Sequence, residues 1–226
     1  MTGSSPRIFQ TFPRLLIAVA ALSLLALAAC AADHHHRDFS GAEKWSQVFD
    51  DPTRDEWQKP AEVIRALALP RNAAVADIGA GTGYFSVRVA RAVPTGSVIG
   101  IDTEPDMVRF LTERAAREKL ANLQARLGRA GEPGLSGRVD LVLVVNTYHH
   151  IPSRERYFRD LQKSLNPGGR IAIIDYQPDA PMGPPRHARI PAERLQKELA
   201  GAGLELAQEH TFLPYQYFLV FQPRTQ

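Results

Sequence analysis

"VADIGAGTGYF", residues 75–85, sets three glycines within five positions. The apolar run ending at Asp77 reads as a buried strand, the glycines as a tight turn, and the apolar spacing after them as a helix. Strand, glycine turn and helix start together form a nucleotide-binding signal, because a loop without side chains lets a ligand approach the backbone N–H groups. A dinucleotide fingerprint needs glycine or alanine at its first, third and sixth places. Gly79 and Gly81 satisfy the first two, but Tyr84 stands at the sixth and Gly83 comes one step early. A side chain as large as Tyr84 would crowd the close helix–strand contact of a dinucleotide turn. The loop suits a nucleoside-like ligand and matches NAD poorly.

Outward from this loop, strand and helix patterns alternate. "SVIGIDT" is a second strand, "PDMVRFLTERAAREKL" a long amphipathic helix with Met107, Phe110, Leu111 and Ala115 inward, and "NLQARLG" a weaker third strand. "VDLVLVVNT" is continuously apolar, as in a central parallel strand covered on both faces. A helix with Tyr157, Phe158, Leu161 and Leu165 follows, with Ser153 as a candidate cap. "NPGG" then turns the chain into a fifth strand, "RIAIIDY". A proline-rich loop, a helix from Ala192, and two strands joined through Pro214 complete the chain. Repeated strand–helix units predict an α/β fold with a parallel sheet and right-handed crossovers. Upstream, Ser40 and Glu43 form a capping-box pattern for a helix with Trp45, Val48 and Phe49 on one side. Pro60 fits the first turn of another, with Val63, Ile64 and Leu67 inward.

In such a sheet a ligand lies at the carboxyl ends of the strands, near the switch point. Asp77 and the glycine turn are there. So is Asp102, nineteen residues beyond Gly83, where a carboxylate can accept both ribose hydroxyls. "DIGAGTG" and "GID", followed by "NPGG" and the terminal strand pair, resemble the class I S-adenosylmethionine-dependent methyltransferases over roughly residues 60–222. "NTYHHIP", residues 146–152, resembles the segment after strand four in small-molecule members related to quinone-biosynthesis enzymes. The resemblance implies a doubly wound, seven-stranded, mostly parallel Rossmann-like sheet with a C-terminal antiparallel pair. It implies S-adenosyl-L-methionine as cofactor and a small-molecule methyl acceptor. Its cofactor set would be Asp77, Gly79, Gly81, Thr82, Gly83, Asp102 and Asn146. Asp77 would meet the methionine amino end and Asp102 the ribose. The family's acid after strand three, which meets the adenine amino group, is replaced by Arg129; Glu132 is a substitute from further along the loop.

Methyl transfer from a sulfonium is an in-line displacement that needs alignment and exclusion of water. Where the acceptor is a hydroxyl or activated carbon, a base helps, and His149 and His150 are the catalytic candidates. Adjacent residues point in different directions, so one of them is expected to face the pocket. The alternative is that both organise the loop by hydrogen bonds. Tyr148 reads equally as pocket or packing. His187 reads as exposed on the proline-rich loop. Trp57 and Lys59 fit an N-terminal cover or, for Trp57, burial at the sheet edge.

The amino terminus carries a separate message. Arg7 and Arg14 precede "LLIAVAALSLLALAAC", residues 15–30, an apolar stretch too short for a comfortable span. "LAAC" resembles the bacterial lipobox, which implies a signal peptide over 1–29 and a lipidated Cys30 as first mature residue. An uncleaved anchor and a plain secretory signal are the alternatives. Ala31 is not the aspartate of inner-membrane retention, so the resemblance implies the outer membrane, facing the periplasm. Cys30 is the only cysteine, so no intrachain disulfide forms. "DHHHRDFSG" within 30–41 reads as a flexible tether; adjacent histidines in coil do not preset a metal shell, so no metal site is expected. Residues 42–72 read as a helical cover and 73–226 as the cofactor-binding domain. The chain has 27 basic and 24 acidic residues, a balance that gives no support to nucleic-acid binding. A cytosolic cofactor and an exported chain conflict. An unknown cofactor supply, a lipid-anchored binding module without turnover, and failed export are the resolutions. A nicotinamide oxidoreductase is a third function, disfavoured by Tyr84.

Overall fold

In the computed structural model, which describes Met1 and residues 39–225, Ala74–Ile78 forms β1, buried from its second residue on. The other strands are β2 (Ser97–Asp102), β3 (Leu123–Leu127), β4 (Val139–Val145), β5 (Leu165–Tyr176), β6 (Leu204–His210) and β7 (Gln216–Pro223). They make one seven-stranded sheet in the order β3-β2-β1-β4-β5-β7-β6. The first five are parallel, and β7 runs antiparallel to both β5 and β6. The chain leaves β1 toward β2 and β3, then returns to β4 on β1's other side. The carboxyl ends of β1 and β4 therefore flank the switch point, where open α/β sheets bind ligands.

Helices cover both faces, as expected of apolar parallel strands. On one face, Val75, Val98, Leu141 and Leu143 pack with Val63 and Leu67 of α3 (Pro60–Leu67), Val87 of α4 (Tyr84–Ala92) and Leu111 and Ala115 of α5 (Pro105–Arg117). On the other, Ala76, Val142, Val144 and Ile173 pack with Tyr157, Phe158 and Leu161 of α6 (Arg154–Leu161) and Leu195 and Leu199 of α7 (Ala192–Gly201). Two short helices precede them, α1 (Ala42–Phe49) and α2 (Arg54–Gln58). Among the described residues, no helix is long and apolar enough to cross a membrane. Cys30 and the expected signal peptide lie outside the described residues.

Several local expectations are corrected. The Ser40–Glu43 capping box does not form. Gly41, at φ 77°, caps α1, its N–H donates to Asp106 Oδ2 (2.8 Å), and Glu43 pairs with Arg109 (2.7 Å). A left-handed glycine reorients the chain before the helix, which takes the serine out of capping position. Val48 is 60% exposed, because the helix buries only Ala42 fully. Ser153 holds the cap position of α6 but at φ 47°, and no side chain caps that helix. Leu165 and "NPGG" belong to β5, whose pairing with β4 is irregular between Val139 and Leu141.

Candidate functional site

The turn after β1 is tied to the end of β2. The N–H groups of Gly79 and Ala80 donate to the Ile101 carbonyl (2.8 and 3.1 Å), and Gly81 N–H donates to Asp102 Oδ2 (2.8 Å). Asp102 Oδ1 accepts Glu104 N–H (3.0 Å). Glycine is obligatory at two places. A Cβ on Gly79 (φ 71°) would lie 2.2 Å from Thr147 Oγ1, and one on Gly83 (φ 88°) 2.3 Å from Leu111. Gly81 faces the ring of Phe49, so α1 lies across this loop.

Asp77 is 3% exposed and accepts a hydrogen bond from Ser86 Oγ (2.5 Å). Burial raises its carboxyl to about 6, with the Asp102 charge adding and the Ser86 bond and Arg54 opposing. Burial also raises Asp102, against the N–H groups of Glu104, Gly81 and Thr103. Two carboxylates at the strand ends, neither with a salt-bridge partner among the described residues, suit a ligand that brings positive charge and hydroxyl donors. Thr82 Oγ1 is buried without a partner among the described residues, while its carbonyl accepts from Arg114 (3.0 Å), which also binds Asp50 (2.7 Å).

Tyr84 does not enter the strand–helix contact. Ala80, Ser86 and Leu111 fill that contact against Gly100. Its ring lies between the guanidinium groups of Arg54 (3.8 Å) and Arg88 (4.0 Å), and its hydroxyl binds Asp55. The residue that broke the dinucleotide pattern thus anchors the turn to α2.

Beyond β4 the chain makes a single 3₁₀ turn, Tyr148–His150. His149 Nδ1 lies 2.8 and 3.0 Å from the two Asp175 oxygens, and its backbone N–H reaches the same carboxylate (3.3 Å). Both side chains are nearly buried, at 5% and 4% exposure. Asp175 is the penultimate residue of β5, so the parallel strands β4 and β5 deliver the pair to one edge. His150 does not point away as expected: it is exposed, but its ring lies 4.1 Å from that of His149 and meets Phe39 edge-on (5.7 Å). Asn146 stands at φ 55° and accepts from Gln216 Nε2 through its Oδ1. Tyr148 is fully buried, donating to Glu198 Oε2 (2.7 Å), which is packing.

The fold brings Asp77, the glycines, Thr82 and Asp102 together and sets Asn146 and His149 beside them through Thr147. Arg129, Glu132 and His187 are exposed, and Trp57 is half-buried against Tyr176 and Tyr215. Asp175 was missed by sequence reasoning, although it repeats a visible signal: an acid at the carboxyl end of an apolar strand, like Asp77 and Asp102. Arg54, Gln58 and Gln216 gave none, since nothing local marks a polar residue as buried. Among the described residues, no group of three or more His, Cys, Asp or Glu side chains is arranged to hold a metal ion.

A family model described as "Methyltransferase domain" matches residues 69–211. An arsenite methyltransferase of Halobacterium salinarum is 33% identical over 137 residues, which is 60% of this chain and 34% of that one. A demethylmenaquinone methyltransferase of Listeria monocytogenes is 28% identical over 129 residues, 56% of this chain and 54% of that one. The chain thus spans about a third to a half of these relatives' length. A solved S-adenosylmethionine-dependent methyltransferase from Aquifex aeolicus superposes with a TM-score of 0.74 at 22% identity, covering 80% of this chain and 97% of that one.

Proposed function

The chain belongs to the class I S-adenosylmethionine-dependent methyltransferases, and from that premise we propose that it methylates a small molecule, with His149 as base. The observation that carries the reading is the pairing of the glycine turn with Asp102. The residues present fit the cofactor: a glycine turn, one carboxylate for ribose hydroxyls, one for an ammonium, and the Thr82 hydroxyl, which has no partner among the described residues. Gly79, Gly81, Gly83, Thr82 and Asp102 would hold it, with Asp77 at its amino end. When bound, it supplies an electrophilic methyl group on a sulfonium.

This chain's own part is orientation and proton handling. Asp175 accepts from His149 Nδ1–H, which fixes the tautomer and leaves Nε2 as the basic nitrogen. Nε2 takes the proton from the acceptor as its atom attacks. The Asp175 side chain, within hydrogen-bond distance of Nδ1, faces the imidazolium that forms. Phe49 and α1 lie over the glycine turn and limit water there. The family match leaves the nicotinamide reading without support.

Transfer is tested with the purified full chain, methyl-labelled cofactor and a small-molecule cell extract. Label in a new low-mass product supports the enzyme. Stable binding with no transfer supports the anchored binding module instead. For location, "LAAC" at 27–30 supports lipidation of Cys30 and periplasmic exposure at the outer membrane. Two or more acyl chains anchor stably where one is marginal. Cys30→Ser should leave an unprocessed precursor without acyl label; full-length, unacylated native protein in the cytosol would contradict the anchor.

A further inference from the structure

Four side chains, Arg54, Gln58, Gln216 and Asn146, form one hydrogen-bonded chain from α2 to the end of β4. Arg54 Nε–H donates to Gln58 Oε1 (2.5 Å), and Gln58 Nε2–H donates to Gln216 Oε1 (2.8 Å). Gln216 Nε2–H donates to Asn146 Oδ1. Gln58 is 0% and Gln216 1% exposed, so neither can turn to water.

A carboxamide can turn over and exchange its donor and acceptor ends, so a chain of carboxamides has two polarities. Arg54 removes the choice, because a guanidinium only donates. Gln58 must therefore give it oxygen, which leaves its nitrogen for Gln216, and Gln216's nitrogen for Asn146. The reverse order would set N–H against N–H away from solvent, the arrangement buried polar groups avoid. The chain ends on Asn146 with its oxygen engaged. Its Nδ2 has no partner among the described residues and is not among the atoms sealed from solvent. Asn146 N–H is held by the carbonyl of Ile174, next to Asp175 (2.9 Å). The open amide thus stands at the strand ends that carry the His149–Asp175 pair.

We propose that Gln58 and Gln216 are positioning residues that carry Arg54's fixed polarity to Asn146, making it a hydrogen-bond donor to a ligand oxygen at the carboxyl ends of β4 and β5. The polarity stands on the hydrogen bonds alone; the identity of the oxygen rests on the methyltransferase reading. It is either the carboxylate of the cofactor's amino-acid end or an oxygen of the methyl acceptor. A ligand that presents N–H at this place is rejected.

Side-chain amide NMR on the ¹⁵N-labelled full chain tests each part. Without ligand, the Gln58 and Gln216 NH₂ protons should exchange slowly and those of Asn146 fast; protected Asn146 protons would overturn the polarity. S-adenosylhomocysteine should shift the Asn146 NH₂ signal if the oxygen is the cofactor's. A shift only when 4-nitrophenolate is added to the saturated protein assigns it to the acceptor. No shift with either overturns the donor role. If the backbone signals of Gly79, Gly81 and Gly83 also stay still, it is the methyltransferase reading that fails, and the exchange result still decides the polarity. Once ionised, at a pH above its carboxyl's titration, the acid of Gln216→Glu cannot donate, so Asn146 must turn its oxygen outward, and affinity for whichever probe gave the shift should fall about tenfold. Gln216→Leu replaces it if the buried acid prevents folding. Unchanged affinity in a folded variant overturns the proposal, because a merely structural role would lower the melting temperature alone.

Discussion

Asp175 and His149 are separated by 26 residues in sequence yet share two contacts of 3.0 Å or less. The carboxylate fixes the ring, so its loss should act on turnover and not on cofactor binding. His149→Ala and Asp175→Asn should each lower the turnover rate about a hundredfold or more. Calorimetry should find cofactor affinity unchanged in both. A normal rate with a lower melting temperature would make the pair purely structural. Asp77 gives a pH signature. Its raised folded value means that its contribution to stability is complete below 3.8 and is lost as pH rises through about 6. Binding runs the other way, since a ligand ammonium needs the carboxylate. S-adenosylhomocysteine affinity should therefore fall as pH drops below about 6, by up to about tenfold per unit. Asp77→Asn should flatten that profile, and an unaltered profile in the variant would remove Asp77 from the site.

At the scale of elements, the strands were legible because each central strand is a continuous apolar run, and the glycine turn because its spacing serves no other purpose. Helix starts were not. Capping patterns depend on the backbone angle of the preceding residue, and Gly41 and Ser153 both adopt left-handed angles that sequence spacing does not reveal. The glycine turn and Asp102 were readable as local motifs, whereas Asp175, Gln58 and Gln216 find their partners only through distant pairing. The tie between α6 and α7 is of this kind. Glu198 accepts from Arg154 (2.5 Å), Arg194 (2.9 Å) and Tyr148 (2.7 Å). Burial pushes its carboxyl up, but these bonds outweigh it and hold the group at about 2. Its stabilising contribution is thus full above 4.5 and lost as pH falls through about 2. Glu198→Gln should cost about 1–3 kcal/mol in urea unfolding at pH 7. An equal midpoint in the variant would contradict the tie.

The whole molecule places its chemistry where the sheet reverses direction. Helices bury both faces, α1 and α2 fold back over the carboxyl ends, and Asp77, Asp102, Asn146 and Asp175 arrive from four different strands. The seven-stranded, mostly parallel sheet and its terminal antiparallel pair were legible from the resemblance and from alternating strand and helix patterns; how the leading helices join the site was not, because α2 reaches it through contacts with residues as distant as Gln216. The central claim is that this crevice holds S-adenosylmethionine through the glycine turn and Asp102. Titration calorimetry of S-adenosylhomocysteine into the purified full chain and its Asp102→Ala variant tests it most directly. The carboxylate braces Gly81 and on the proposed reading would receive the ribose, so the variant should bind more weakly by about 1.5–3 kcal/mol. Absence of binding to the unmodified chain, or equal affinity in the two proteins, would contradict the account.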